Sequence, residues 1–336
     1  MRNAESDEVA GHRSQVAGEP PREDGSLAPP LAGSQRRPAT RRDRIPPLLR
    51  LIRPANVPTA LADVTAGACV ALGHLPDAAP FALTLAASAF FYAAGMGLND
   101  LFDIERDRSL HPERPLPSRQ LTFRRAALFS GLLLAIGLAL SLAAGPWTGM
   151  AGFFVAATIL IYDALLSHTV AGPISMAACR AANVLLGASL CISAIGFIPV
   201  RAFAAAALVG LYTSGISLLA RQEARPRFWR VTVSGLPFVL ALAGTGVLTC
   251  LLPIEENDRW GSAWTVLVML WIITYYAGTR IWMTRPSIIG AVKRSILFLP
   301  VLDGFLVARF YDWRAGLLVA ALALPCWLLS RWFRMT

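Results

Sequence analysis

The sequence is dominated by long apolar segments that alternate with short polar loops. Hydrophobic residues make up 55% of the chain and charged residues only 15%, and the mean hydropathy is +0.52. About 20 helical residues cross the roughly 30 Å hydrocarbon core of a bilayer. Such segments are helical because lipid offers no partners to exposed backbone groups. The sequence therefore predicts an all-α fold, a polytopic transmembrane bundle of nine or ten helices.

The number of spans depends on two segments that carry charge. The fifth candidate contains Arg180 and Asn183, and the ninth contains Lys293, Arg294 and Asp303, which are costly in lipid unless they face protein or water. We expect structural ion pairing for Asp303, with Lys293 or Arg294. The candidate spans cover residues 56–73, 79–98, 124–144, 147–166, 173–195, 200–220, 230–252, 261–282, 288–308 and 313–331.

The arginine-rich segments predict the domain organisation and the orientation. Residues 1–44 are rich in Pro, Arg, Ser and Gly and contain no long apolar run, so we expect a disordered cytosolic tail before a transmembrane domain at 45–336. The tail, the loop 99–123 and the loop 221–230 hold most arginines, which favours a cytosolic N-terminus and cytosolic loops in the cell (inner) membrane. The net charge of +10 is thus explained by orientation and membrane lipid, and nucleic-acid binding is not expected.

An aspartate cluster in the loop after the second span carries the chemistry. Asp100, Asp103 and Asp107 are three and four residues apart, so on a helix they share one face, while Glu105 points away. Clustered carboxylates repel one another, and Mg2+ with its preference for oxygen ligands would compensate them together with substrate phosphates. The alternative is a solvated acidic helix start. A proline-rich segment with Arg114 and Arg119 follows, and cations beside a metal site suit a polyanionic ligand.

These residues resemble the UbiA superfamily of membrane prenyltransferases. Residues 99–107 match its NDxxDxxxD signature, residues 114–119 resemble its RPLxSG-like segment, and residues 53–56 open the first span as in that family. The resemblance implies that four residues organise Mg2+ on a prenyl diphosphate and that three others bind its oxygens. The implied metal set is Asn99, Asp100, Asp103 and Asp107, and the implied diphosphate set is Asn56, Arg114 and Arg53. Asn56 could instead be a helix cap.

A second polar set lies at the ends of the fourth and fifth spans. Tyr162-Asp163, His168, Gly172-Pro173, Arg180 and Asn183 resemble an EboC-like branch of the superfamily. Ionisable residues within spans are functional by default. Arg180 either binds diphosphate or pairs with Asp163, and Asp163 is the candidate for removing the proton of the acceptor.

The second signature of the superfamily, an aspartate pair after the sixth span, is missing. Only Glu223 offers a carboxylate there, as a possible metal ligand, while Arg221 and Arg225 lie one helical turn apart and could bind phosphate directly. A plain positive-inside loop is the alternative.

The resemblance implies Mg2+-dependent transfer of a prenyl group from a prenyl diphosphate to a lipophilic acceptor, with an aromatic acceptor expected. The missing aspartate pair keeps open a different hypothesis, a catalytically impaired membrane carrier or scaffold with the same fold. A CDP-alcohol phosphotransferase is disfavoured because its DG and AR elements are missing.

Overall fold

The protein is described by a computed structural model, in which residues 45–222, 235–251, 285–333 and 335 can be described. Within these ranges the regular structure is helical throughout, as predicted. All of them fall in one compact unit, Thr40–Thr336. The helices are α1 (Pro47–Leu51), α2 (Val57–Leu72), α3 (Ala78–Phe102), α4 (Ile104–Leu110), α5 (Phe123–Ala144), α6 (Pro146–Ile161), α7 (Gly172–Ala188), α8 (Ile192–Ile195), α9 (Val200–Ala220), α10 (Leu236–Leu251), α11 (Arg285–Phe310), α12 (Trp313–Ala320) and α13 (Ala323–Leu329).

Six of the described helical segments are long and apolar enough to cross a membrane, and they correspond to the first six predicted spans. They are Pro54–Leu72, Ala78–Phe102, Phe123–Ala144, Pro146–Leu166, Gly172–Ile195 and Val200–Ala220. The seventh and ninth predictions correspond to α10 and α11. The eighth, residues 261–282, and the tail, residues 1–44, lie outside the described residues. The tenth corresponds to a shorter apolar helical segment, Trp313–Leu329, which is made up of α12 and α13.

Helix α2 lies at the centre of the described bundle and packs against α7, α9 and α11. Small residues allow this close packing, as is common between membrane helices. A Cβ atom on Gly67 would lie 1.8 Å from the carbonyl oxygen of Val184, and one on Gly187 would lie 2.0 Å from that of Val64. The α2–α7 contact therefore brings the polar residues of these two helices together.

Three chain segments meet at one end of the bundle and position the candidate site. The first is the α3–α4 junction, where the amide of Asp103 still donates to Asn99 and that of Asp107 to Asp103. The second is the π-helical turn Tyr162–Leu166 at the end of α6, and the third is the C-terminal end of α9. The last two are joined by a hydrogen bond from Arg221 Nη2 to the Ser167 carbonyl at 2.9 Å.

Candidate active site

The three aspartates of the cluster lie on one buried face, as their spacing predicts. Asp100, Asp103 and Asp107 are 2%, 8% and 2% exposed. Glu105 points outward, with 78% of its side chain exposed, and pairs with Arg108 at 2.7 Å. The helical hydrogen bonds across Asp103 preserve the common face, so the solvated acidic helix start is the wrong alternative.

Two arginines from separate parts of the sequence hold these carboxylates. Arg53 Nη2 donates to Asp100 Oδ1 at 2.5 Å, and Arg114 Nη1 donates to Asp107 Oδ2 at 2.5 Å and to Asp100 Oδ1 at 3.5 Å. Arg53 adopts a left-handed conformation with φ 45°. A non-glycine residue held in this region requires support from its surroundings and is often found at functional sites. The loop that carries Arg114 is anchored by Leu116 and Leu121, which are buried against Leu51 and Leu101.

His168 lies beside Asp103, the remaining aspartate of the cluster. Its Nε2 lies 2.9 Å from Asp103 Oδ1, and this oxygen accepts no well-aligned hydrogen bond from the described residues. Burial raises the pKa of Asp103 and of Asp107, while the charges of His168 and Arg114, respectively, oppose that rise. A cation in the adjoining space would stabilise both carboxylates in their ionised form.

The π-helical turn at the end of α6 turns Asp163 into the bundle. π-Helical turns inside α-helices are frequent at functional sites. Asn99 Nδ2 donates to Asp163 Oδ1 at 3.2 Å, and Asp163 Oδ2 is buried without a hydrogen bond from the described residues. This oxygen is therefore available to accept a proton from a ligand.

Arg180 does not pair with Asp163, so that alternative is wrong. Its Nη1 donates to Asp63 Oδ2 at 2.5 Å and its Nη2 to Thr59 Oγ1 at 2.5 Å. Asn183 Nδ2 donates to the same Asp63 oxygen at 3.0 Å. Sequence spacing could not reveal this partner because Asp63 lies 117 residues away.

Asn56 is not a side-chain helix cap. It precedes α2, but its side chain makes no capping hydrogen bond. Its Nδ2 donates instead to the carbonyl oxygen of Met335 at 2.9 Å. The side chain lines the cavity described below.

Two adjoining cavities connect these residues. The larger, about 280 Å³, is lined by both carboxylates and arginines. The smaller, about 90 Å³, is lined mainly by apolar side chains of α3, α6 and α7. The relevant polar residues of the larger cavity are Arg53, Asn56, Asn99, Asp103, Arg106, Asp107, His111, Arg114, Arg180 and Arg221. Both cavities share Tyr92, Met96, Tyr162, Met176 and Arg180. Glu223 and Arg225 lie outside the described residues.

Tyr92 is a cavity residue that the sequence reasoning missed. It lies seven residues before Asn99 in α3, about two helical turns, and therefore on the same face as the aspartates. Met96 lies between them on that face. Extending the periodicity of the aspartate cluster backwards into the span would have found both residues.

The donor set fits Mg2+ bound together with a substrate rather than in a closed protein site. No group of three or more His, Cys, Asp or Glu residues is arranged to hold a metal within the described residues. Mg2+ commonly takes only one or two carboxylates and completes its coordination with water and phosphate oxygens. Asp103 and Asp107 line the larger cavity, and Asp103 Oδ1 accepts no hydrogen bond there from described residues. The residues present therefore suit a metal ion that arrives with a diphosphate.

Comparison with curated sequences identifies partial relatives. Over 140 residues the chain is 35% identical to digeranylgeranylglyceryl phosphate synthase of Ignicoccus hospitalis, covering 41% of this chain and 45% of that protein. Over 129 residues it is 32% identical to the protein of the same name from Methanococcoides burtonii, covering 36% and 46%. The chain thus spans about half the length of the curated relatives it matches. These relatives do not support a specific assignment to an EboC-like branch.

The fold is shared with solved membrane proteins. A UbiA homologue from Archaeoglobus fulgidus, solved with GPP and Mg2+, aligns with a TM-score of 0.61 at 15% identity, over 82% of this chain and 99% of that one. A solved digeranylgeranylglyceryl phosphate synthase aligns with a TM-score of 0.54 at 20% identity, over 79% and 96%. The model of the UbiA prenyltransferase family matches residues 60–227, half of the chain. This chain is therefore a member of the UbiA prenyltransferase family.

Proposed function

We propose that this protein transfers a prenyl group from a prenyl diphosphate to a lipophilic acceptor within the membrane, with Mg2+ as cofactor. The observation that carries the proposal is the pair of adjoining cavities. The larger combines carboxylates with arginines, as a metal diphosphate requires, and the smaller offers an apolar space for a prenyl chain. The reacting carbon would lie where they meet.

The polar residues would bind and orient the diphosphate. Asp103 and Asp107 would hold the metal ion with Asn99 and Asp100 beside them, while Arg53, Arg114 and Arg221 would bind phosphate oxygens. When bound, Mg2+ supplies positive charge that stabilises the leaving diphosphate. Arg114 now donates to Asp107, so a ligand would share this guanidinium with the aspartate. Fixed charges of this kind stabilise the charge that develops as the allylic carbon–oxygen bond breaks.

The apolar cavity would protect the allylic cation from water and receive the acceptor. Phe91, Met96 and Met176 line it, together with Asp163. Because Asp163 Oδ2 has no hydrogen-bond donor among the described residues, it would accept the proton that the acceptor loses.

The acceptor class has two candidates. The sequence led us to expect an aromatic compound, whereas the name of the relatives denotes a glyceryl phosphate that carries two prenyl chains. A glyceryl phosphate lipid would present a hydroxyl group to the reacting carbon and would place its phosphate among the arginines of the larger cavity, where Arg106 and Arg221 lie. We favour a lipophilic acceptor with an anionic head group for this reason.

The orientation is part of the proposal. The aspartate cluster, His168 and Arg221 meet at one end of the bundle, and the arginines of this end favour the cytosol. A charged diphosphate would also enter from the end of the bundle that faces water. Residues 1–44 would form a cytosolic tail in contact with anionic lipid.

The test is a donor and acceptor panel with purified protein in lipid and Mg2+. Release of diphosphate that depends on both an acceptor and Asp103 would support transfer. Binding of prenyl diphosphates without turnover of any acceptor would instead support the carrier hypothesis. In an active preparation, Glu223→Ala distinguishes a metal ligand from a bystander, because loss of activity that added Mg2+ restores would identify a ligand.

A further inference from the structure

A second cluster of ionisable groups lies within the bundle, separate from the aspartate loop. Asp63 on α2 and Asp303 on α11 both have no exposed surface, and each is within reach of the other for a side-chain hydrogen bond. Arg180 on α7 completes this inner cluster. Asp303 was expected to pair with Lys293 or Arg294, but those residues lie nine or ten positions away on α11, about 14 Å along the helix axis.

The charges of the inner cluster do not balance. Two ionised carboxylates and one guanidinium leave one negative charge on fully buried carboxyl groups within the bundle, which is strongly unfavourable. Three oxygens, Asp63 Oδ1 and both of Asp303, accept no hydrogen bond from the described residues. Two ionised carboxylates cannot hydrogen-bond to each other, because both are acceptors only. A single shared proton removes the excess charge and supplies the missing donor.

The hydrogen bonds decide where this proton lies. Asp63 Oδ2 accepts bonds from Arg180 at 2.5 Å and from Asn183 at 3.0 Å, and such bonds favour the ionised carboxylate. Asp303 accepts none from the described residues. The shared proton is therefore expected on Asp303, whose O–H would donate a hydrogen bond to Asp63 Oδ1.

This arrangement fixes Arg180 beside the proposed reaction centre. Arg180 lines both cavities, and two of its N–H groups go to Asp63 and Thr59, out of the five that a guanidinium offers. We propose that protonated Asp303 and ionised Asp63 form a buried acid pair that positions Arg180 where the two cavities meet, so that Arg180 binds the end of the diphosphate nearest the prenyl group. The role of Arg180 rests on the proposed function, whereas the shared proton does not.

Infrared spectroscopy of the purified protein tests the shared proton directly. The carbonyl stretching band of a protonated carboxylic acid should be present in the wild type, and the component that belongs to Asp303 should be lost in Asp303→Asn. It should persist in Asp77→Asn, which changes an exposed aspartate. A wild type without this band, or a band that keeps its full intensity in Asp303→Asn, would overturn the acid pair. Thermal stability that rises with Na+ in place of such a band would also overturn it, because a bound cation would then balance the charge.

Binding of geranyl diphosphate with Mg2+ tests the positioning of Arg180. Asp63→Asn removes the charge that orients Arg180, and donor affinity should fall about tenfold or more. Asp303→Asn keeps an N–H donor and should lose less affinity than Asp303→Leu, which keeps none. Equal losses of donor affinity in the two Asp303 variants would reject the positioning role. The proton assignment would still stand if the infrared band belongs to Asp303. If no variant or wild type binds a prenyl diphosphate, the proposed function itself fails.

Discussion

Two clusters in the described part of the chain combine aspartates with arginine, and they differ in access. The outer cluster is formed by Asp100, Asp103, Asp107, Arg53 and Arg114, and it borders a cavity of about 280 Å³. In the inner cluster of Asp63, Asp303 and Arg180, both carboxyl groups are completely buried between α2, α7 and α11. Aspartate and arginine side chains are therefore placed in two different environments, one beside a cavity and one in the interior of the bundle. An open cluster can exchange its internal ion pairs for a metal and a diphosphate, whereas fully buried carboxyl groups must have their charge balanced by their neighbours.

The largest expected effect comes from breaking the inner cluster. In Asp63→Leu, Arg180 loses its charged partner at 2.5 Å, and removing one member of a buried pair typically costs about 3–5 kcal/mol. We expect a free energy of unfolding lower by this amount, measured by denaturant titration in detergent micelles.

The double variant Asp63→Leu with Arg180→Met is the matched control. Replacing both members of a buried pair with apolar residues is often neutral, so it should recover most of the stability while losing donor affinity. A double variant as unstable as Asp63→Leu would show that packing of α2, rather than charge, explains the loss.

Breaking the outer cluster should abolish function with little effect on the fold. Loss of a group that merely orients a metal ligand costs about 10–100-fold in affinity or activity, so Asp103→Ala is expected to lower the transfer rate at least about 100-fold. The rate of diphosphate release measures it. Glu105→Ala, from the exposed face of the same helix, should behave as wild type, and an equal loss there would contradict the metal assignment.

Ligand binding at the outer cluster should stabilise the protein. Geranyl diphosphate and Mg2+ at about tenfold their dissociation constant should raise the free energy of unfolding by about 1.4 kcal/mol. Burial raises the pKa of Asp103 and Asp107, so protons compete with the metal and its affinity should fall as the pH is lowered. Calorimetry in buffers of different ionisation enthalpy would detect the released protons. The stabilisation should vanish in Asp103→Ala, and its persistence there would place the ligand elsewhere.

The smallest effect is expected at the edge of the larger cavity. Arg221 lines it but also donates to the Ser167 carbonyl. We expect Arg221→Lys to raise the donor KM about threefold with kcat unchanged, since lysine keeps the charge but loses the fork of donors. Arg119→Lys, in a residue that does not line the cavity, is the control. A fall in kcat with KM unchanged would contradict a simple binding role for Arg221.

The common face of the outer aspartates could be predicted because it depends on local spacing. Residues three and four apart on one helix share a face whatever the rest of the chain does, so the positions of Asp100, Asp103 and Asp107 followed from spacing alone. The guanidinium of Arg114 lies on the same loop, seven residues from Asp107, and was expected near the carboxylates because the proline-rich segment follows them directly. Tyr92 was missed because the helical pattern was not continued into the span.

The inner cluster could not be predicted because its contacts are distant. Asp63 meets Arg180 across 117 residues and meets Asp303 on a third helix, and Asn56 meets Met335 across 279. No periodicity links such positions. The spacing placed Arg180 near Asp163, yet the close approach of α2 and α7 at Gly67 and Gly187 aligned it with Asp63.

The sequence by itself determined that the protein is helical, that its segments suit a membrane, and that one loop presents three carboxylates together. These properties follow from hydropathy and helical period, which act over one turn or one span. Only the tertiary structure decided which arginine faces which aspartate, that an apolar cavity adjoins the polar one, and that Asp63 and Asp303 lie buried on neighbouring helices. Those properties depend on how helices pack, which is determined by contacts between residues far apart in the chain.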